Sequence, residues 1–177
     1  NGDEAEKYFR QSLAIDSSLN NYKGVSMNYS TLGNIYEHRL QFDSAYYMYR
    51  KSLEYDIKSG NKVGEGISYN RLGQLAFHRD SLDAAVAYHQ KAYDLLSGEH
   101  EIWNKLKSAM SLAWIYLVKN DLPKAYSLLQ ESLEIASSRN SFGHLEEIHY
   151  CLAEYYKKKG DYRSAYEESQ KCLSMRD

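Results

Sequence analysis

Proline occurs once in the 177-residue chain, cysteine twice, and apolar runs extend over only a few residues. Each scarcity removes a class of answer. Cys151 and Cys172 fit no CxxC or Cys/His metal spacing, so they read as small packing residues rather than redox groups or zinc ligands. The apolar runs fall far short of the ~20 residues that cross a bilayer, and no basic-then-apolar signal segment opens the chain. Neither sign of charge dominates: 22 Lys and Arg stand against 24 Asp and Glu, a formal net charge of -2. That balance leaves no electrostatic footprint for DNA, RNA or an anionic membrane. Catalytic signatures are missing as well, with no glycine-rich phosphate loop, no GxSxG elbow and no nucleophile set beside His and acid partners. In HLEEIH, His144 and His149 are five apart where a helical zinc pair needs four, which reads as two surface histidines. The expectation is a chain without enzyme activity, cofactor or metal.

Hydrophobic residues make up 43% and charged residues 26%, enough apolar material for a core and too much for disorder. The apolar material is periodic over a long distance. LGNIYEHRLQFDSAYYMYRKSL begins at 32, and its relatives LGQLAFHRDSLDAAVAYHQKAY, LAWIYLVKNDLPKAYSLLQESL and LAEYYKKKGDYRSAYEESQKCL begin at 72, 112 and 152, while DEAEKYFRQSL near the start matches the second half of the unit. Alanine returns at 5, 45, 85, 125 and 165, a step of 40 without slippage, where a small side chain lets two helices approach closely. Gly33, Gly73, Ala113 and Ala153 each follow a leucine, with Tyr36, Tyr116 and Tyr156 three residues beyond and Ala76 as the exception. Leucine and tyrosine thus lie about one turn apart on a helical face. A second face runs through Phe9, Tyr49, His89 and Leu129, so each unit is two amphipathic helices. The 18 tyrosines read as interhelical packing with wet hydroxyls rather than as a base-stacking platform, because the basic groove that such a platform needs is missing.

Turn chemistry divides the units. Asp80-Ser81, Asp121 and Gly160-Asp161 supply caps, Pro123 sits in a first helical turn that does not need its amide hydrogen, and longer breaks fall at Asn20-Asn21, Gly60-Asn61, 98–100 and Asn140-Ser141. The pattern predicts an all-α chain of about nine helices, near 2–18, 23–39, 43–59, 63–78, 82–97, 101–119, 122–139, 142–159 and 162–176. They form one array: 1–19 the second helix of a truncated repeat, then repeats over 20–59, 60–99, 100–139 and 140–177. A truncated first repeat and an uncapped last helix read as a piece of a longer protein.

Leu-Gly, then Tyr, Ala, an aromatic, and a small residue before Leu resembles the tetratricopeptide repeat in its variety of about 40 residues. The resemblance spans essentially the whole chain, with Ala76 and Ser169 as departures. The ending YYKKKGDYRSAYEESQKCLSMRD also resembles the last repeat of sensor regions in bacterial signalling proteins. The resemblance implies an α-solenoid of antiparallel helix pairs coiled as a right-handed superhelix, whose first helices line a concave groove for a peptide or protein partner. It implies a non-catalytic scaffold in a bacterial signalling or regulatory protein, a cytoplasmic or periplasmic domain making no contact with nucleic acid or membrane. A receptor for a short free peptide, and a spacer that self-associates through uncapped ends, are the alternatives.

Carried onto this sequence, the groove positions are Ser30, Asn34, Glu37 and His38, then Asn70, Arg71, Gln74, Phe77 and His78, then Met110, Trp114, Leu117 and Val118, and finally Tyr150, Glu154, Lys157 and Lys158. The side-chain amides of Asn34, Asn70 and Gln74 both donate and accept, as a peptide backbone requires, and Arg71 suits a carboxylate through two parallel bonds. Met110 and Trp114 would bury one large apolar side chain. Each has a structural alternative: Trp114 covered by its neighbouring helix, the asparagines merely solvated, Arg71 paired with a surface acid.

Overall fold

The computed structural model describes residues 2–96, 98 and 101–175. Among these the regular elements are nine α-helices: α1 Gly2–Ser18, α2 Tyr22–His38, α3 Phe42–Ser59, α4 Lys62–His78, α5 Leu82–Leu95, α6 Ile102–Val118, α7 Leu122–Ser138, α8 Phe142–Lys159 and α9 Tyr162–Ser174. Each starts and stops close to its expected place. The expected ends at 97 and 176, and most of the break at 98–100, lie outside the described residues.

One turn design repeats along the chain. Asn20, Leu40, Gly60, Asp80, Asn120, Asn140 and Gly160 adopt left-handed φ values between 52° and 80°. The amide of the next residue then donates to the carbonyl five positions back at 2.8 to 3.0 Å, the closing bond of a Schellman motif. That next residue opens the following helix, and Asn21, Asn61, Asp121 and Asp161 cap it by accepting from the amides of Gly24, Gly64, Lys124 and Ser164. One residue therefore ends one helix and its neighbour begins another. Leu40 is the misfit, because a γ-branched side chain in a left-handed turn is strained where Asn or Gly is not.

The chain divides into two compact units, Asn1–Asn104 and Lys105–Asp177. In the first, Ala45, Tyr49, Leu53, Leu72 and Leu75 form a core flanked by Tyr36, Phe42, Tyr46, Tyr69 and Tyr88. In the second, Leu106, Ala113, Leu117, Leu129, Ile148 and Leu152 join a larger apolar cluster with Trp114, Tyr126 and Tyr156 packed around it. The recurrent alanines Ala45, Ala85, Ala125 and Ala165 are all buried, as close helix approach requires.

The 40-residue step also matches residue sizes. A Cβ added at Gly33 would lie 2.4 Å from the ring of Tyr49, and one at Gly73 would lie 2.7 Å from the ring of His89. Where the small residue is Ala113 or Ala153, position i+16 carries Leu129 or Ser169 instead. Glycine faces an aromatic ring and alanine faces something smaller, so the helix spacing can be kept while its filling changes.

A polar knot ties the helices of the N-terminal unit. Asp56 Oδ1 accepts from Asn61 Nδ2 at 3.1 Å and Oδ2 from Ser68 Oγ at 2.9 Å, while Ser52 Oγ donates to the Ser26 carbonyl at 2.9 Å. Asp16 repeats the arrangement one step earlier, accepting from Asn21 and Asn28, both at 2.7 Å. Burial pushes the Asp56 carboxyl above the usual carboxylate range against the pull of these bonds.

Candidate functional site

Helices α2 and α4 position the first set of groove residues. On α2, Asn34 is half-buried and its Oδ1 accepts from the Tyr49 hydroxyl at 2.7 Å, a proton-sharing site that Glu37 Oε2 also reaches at 2.6 Å. Burial first, then the Glu37 bond, hold the Tyr49 phenol well above its ordinary value. This hydroxyl is the reverse of the wet one expected for the tyrosines: it is the bonded end of a fully buried ring. Asn70 of α4 also turns inward, 6% exposed, with Oδ1 2.9 Å from His89 Nδ1. Arg71, Gln74 and Phe77 are half-buried, whereas His38 and His78 are exposed. Phe77 meets His78 edge-on, and His78 stacks on Phe42 at 5.7 Å. Arg71 has no carboxylate partner among the described residues, so the surface ion pair weighed for it is not formed.

Helices α6 and α8 carry the second set. Met110 is only 8% exposed and Leu117 only 1%, and both belong to the core cluster. Neither offers a surface to a ligand. Trp114 is half-buried against that cluster and stacks on the half-exposed Tyr150 at 5.9 Å and 25°. Val118 is exposed beyond it, and Lys157 Nζ holds Glu154 Oε1 at 2.6 Å. His149, expected at the surface, is buried with Nδ1 2.6 Å from Glu168. Burial raises the Glu168 carboxyl, but bonds from Lys171 and His149 outweigh it and hold that group below its ordinary value. His144 lies 2.7 Å from the Ser141 hydroxyl. Among the described residues no cluster of three His, Cys, Asp or Glu is placed to hold a metal, and no helix is long and apolar enough to cross a membrane.

The opening between α2 and α4 lies one to two turns upstream of most of the residues expected on those helices. A cleft of about 440 Å³ opens between α2 and α4, lined by Lys23, Ser26, Met27 and Ser30 of α2, by Val63, Gly64, Ile67 and Ser68 of α4, and by Glu101. Ser52, Asp56 and Asn61, the polar knot, also line it. Met27 is 62% exposed. Ser30 was expected here; Lys23, Met27, Val63 and Ile67 were not. The signal that finds them is spacing, because 23, 27, 30 and 34 on α2 and 63, 67 and 74 on α4 follow one helical face.

Residues 146–177 match the family model described as tetratricopeptide repeat. The fold of the whole chain is shared with solved structures. BtubC (BKLC) from P. vanneervenii is 18% identical, with a TM-score of 0.90 over 99% of this chain and 73% of that one. A Podosopora anserina protein described as a kinesin light chain with nearly identical TPR-like repeats is 15% identical, with a TM-score of 0.72 over 99% and 87% of the two chains. The MamA protein is 16% identical, with a TM-score of 0.62 over 98% and 92%. No curated protein matches in sequence. The chain thus shares the all-α helical-repeat fold of these structures, and its last repeat is similar to the tetratricopeptide repeat. Tetratricopeptide repeat proteins are generally non-catalytic scaffolds that bind protein partners.

Proposed function

We propose that the chain is a non-catalytic scaffold holding a peptide segment of a partner protein, seated in the N-terminal unit against the α2/α4 cleft. The observation that carries this reading is the make-up of the cleft: a 62% exposed Met27 beside Val63 and Ile67, above the serines and the carboxylate of the polar knot. Thioether side chains adapt to varied apolar partners, and covering one contributes about 1.5–3 kcal/mol. The half-buried Ser30 hydroxyl on the same face of α2 can accept from or donate to a peptide backbone. In the C-terminal unit, Trp114 on Tyr150 is the corresponding apolar anchor, with Val118 and the Glu154–Lys157 pair beside it. A well-enclosed aromatic of this kind is worth about 2 kcal/mol.

Asn34, Arg71 and Gln74 serve this reading as polar positions downstream of the cleft; Asn70 serves it indirectly, by fixing His89. The wider setting we propose, a bacterial signalling or regulatory protein, rests on the resemblance of the last repeat to sensor regions of such proteins. Selection from a random peptide library on the immobilised chain tests the proposal, with Met27→Glu and Trp114→Ala chains of native helicity as controls. Enrichment of a common motif on the native chain, lost on Met27→Glu, is the expected result. Equal enrichment on all three chains, or none, overturns it in favour of a spacer or self-association role. A motif that binds as a free peptide but not within a folded partner would move the reading to a peptide receptor.

A further inference from the structure

A second cleft of the N-terminal unit lies on the α3/α5 side and shares no lining residue with the first. It is open, about 610 Å³, and its walls are Tyr47, Arg50, Lys51, Glu54 and Ile57 of α3, Tyr69 of α4, and Tyr88 and Lys91 of α5. Its charge is one-sided in a chain of net charge -2. Three cations, Arg50, Lys51 and Lys91, face one carboxylate, and that carboxylate is already spent. Glu54 accepts from Lys58 at 2.7 Å and from Lys51 at 2.9 Å, and these bonds hold it down at about 2.

Arg50 and Lys91 are both exposed, and neither has a carboxylate partner among the described residues. Lys91 lies 5.3 Å over the Tyr69 ring. The acid nearest along α5, Asp94, accepts from Gln90 at 2.9 Å. Between the two cations the wall is apolar: Tyr69 and Tyr88 stack at 6.2 Å, and Tyr47 and Ile57 are 56% and 53% exposed. The cleft thus pairs unneutralised positive charge with uncovered aromatic and aliphatic surface.

We propose that this α3/α5 cleft binds an acidic peptide segment, its carboxylates taken by Arg50 and Lys91 and a large apolar side chain lying against Tyr47 and Ile57. A guanidinium gives a carboxylate two parallel hydrogen bonds, while the ammonium acts as a point charge already placed over a ring. A nucleic-acid strand is a poorer fit, because its affinity comes from neutralising a series of phosphates and this cleft has only two cations without an acid.

Fluorescence anisotropy on the full chain tests the proposal with three labelled probes: a peptide alternating Glu and Phe, its Gln/Phe counterpart, and an oligothymidylate. The Glu/Phe peptide should bind at low salt and weaken as salt rises. The Gln/Phe peptide, and the Glu/Phe peptide on the R50A/K91A double variant, should each bind at least about tenfold more weakly. The M27E chain, altered in the other cleft, should bind the Glu/Phe peptide as the native chain does. Equal binding of Glu/Phe and Gln/Phe, full binding by R50A/K91A, loss of binding on M27E alone, or tighter binding of oligothymidylate than of peptide would each overturn the proposal. Because it uses a defined probe and its own lining residues, failure of the library selection on the first cleft leaves this result independent.

Discussion

At the crossing of α2 with α3, Gly33 admits the ring of Tyr49, whose hydroxyl is bonded to Asn34 and Glu37. Two steps of the repeat later, Ala113 and Leu129 occupy the same positions within one apolar cluster, with no polar atom to satisfy. The contrast recurs at the other end of the helices. Ser52 bonds the Ser26 carbonyl and meets Ser68 and Asp56. Eighty positions on, those partners have become Leu106, Ile148 and Ala136, and the hydroxyl of the buried Ser132 has no hydrogen-bond partner among the described residues. One backbone frame is held by a polar network in the N-terminal unit and by apolar packing in the C-terminal one. A repeat constrains volume and register; the chemistry that fills the volume is free to change.

Exchange of fillings should break the comparison most sharply. Gly33→Ala, which drives a methyl into the Tyr49 ring, is expected to cost about 3 kcal/mol. Adding Tyr49→Leu copies the Ala113/Leu129 filling and should restore at least half of that, read as urea midpoints in a double-mutant cycle. Absence of any rescue would mean that the two fillings are not interchangeable.

The buried carboxylate comes next. Asp56→Ala leaves Asn61 and Ser68 without their acceptor and should cost about 2 kcal/mol at neutral pH. The folded-state pKa of Asp56 is raised, so the native state binds the proton more tightly than the unfolded chain. Its contribution to stability therefore grows as pH falls through the window between the two values. The stability gap between the native chain and Asp56→Ala should accordingly widen from pH 7 towards the ordinary aspartate range; a gap that narrows contradicts the assignment.

The serine pair sharpens the contrast at smaller scale. Ser52→Ala should destabilise by about 1 kcal/mol, whereas Ser132→Ala should stabilise by about 1 kcal/mol, since it removes an unpaired buried hydroxyl. Opposite signs at equivalent positions in thermal melts are the expected outcome. The smallest effect belongs to the turns: Leu40→Asn should raise stability by about 0.5–1 kcal/mol by relieving the left-handed strain, while Asn20→Leu should lower it by a similar amount.

Much of this was legible from periodicity. The 40-residue step marks each helix, the buried alanines at 45, 85, 125 and 165 and the turns at 20, 40, 60, 80, 120, 140 and 160, because the spacing of small and apolar side chains is itself the packing rule. Depth was not legible. Asn70, Met110 and Leu117 lie on the expected face yet point into the core, since a helical face is wide and sequence spacing cannot separate its rim from its floor. His149 was read against His144, five residues away, while its partner Glu168 lies 19 positions on in α9, a distance that only helix pairing makes short. The α2/α4 cleft follows the expected face but sits nearer the helix starts, because the separation of two helices, invisible in one sequence, decides which residues line the opening.

Hydrogen-exchange mass spectrometry on the chain with its library-selected peptide tests the central claim most directly. The account predicts new protection in the first three turns of α2 and α4, around Met27 and Ile67, and unchanged exchange in those helices when Met27→Glu replaces the native chain. Protection confined to helix ends and unaffected by Met27→Glu would contradict a peptide-binding cleft and show that the repeat serves as a spacer.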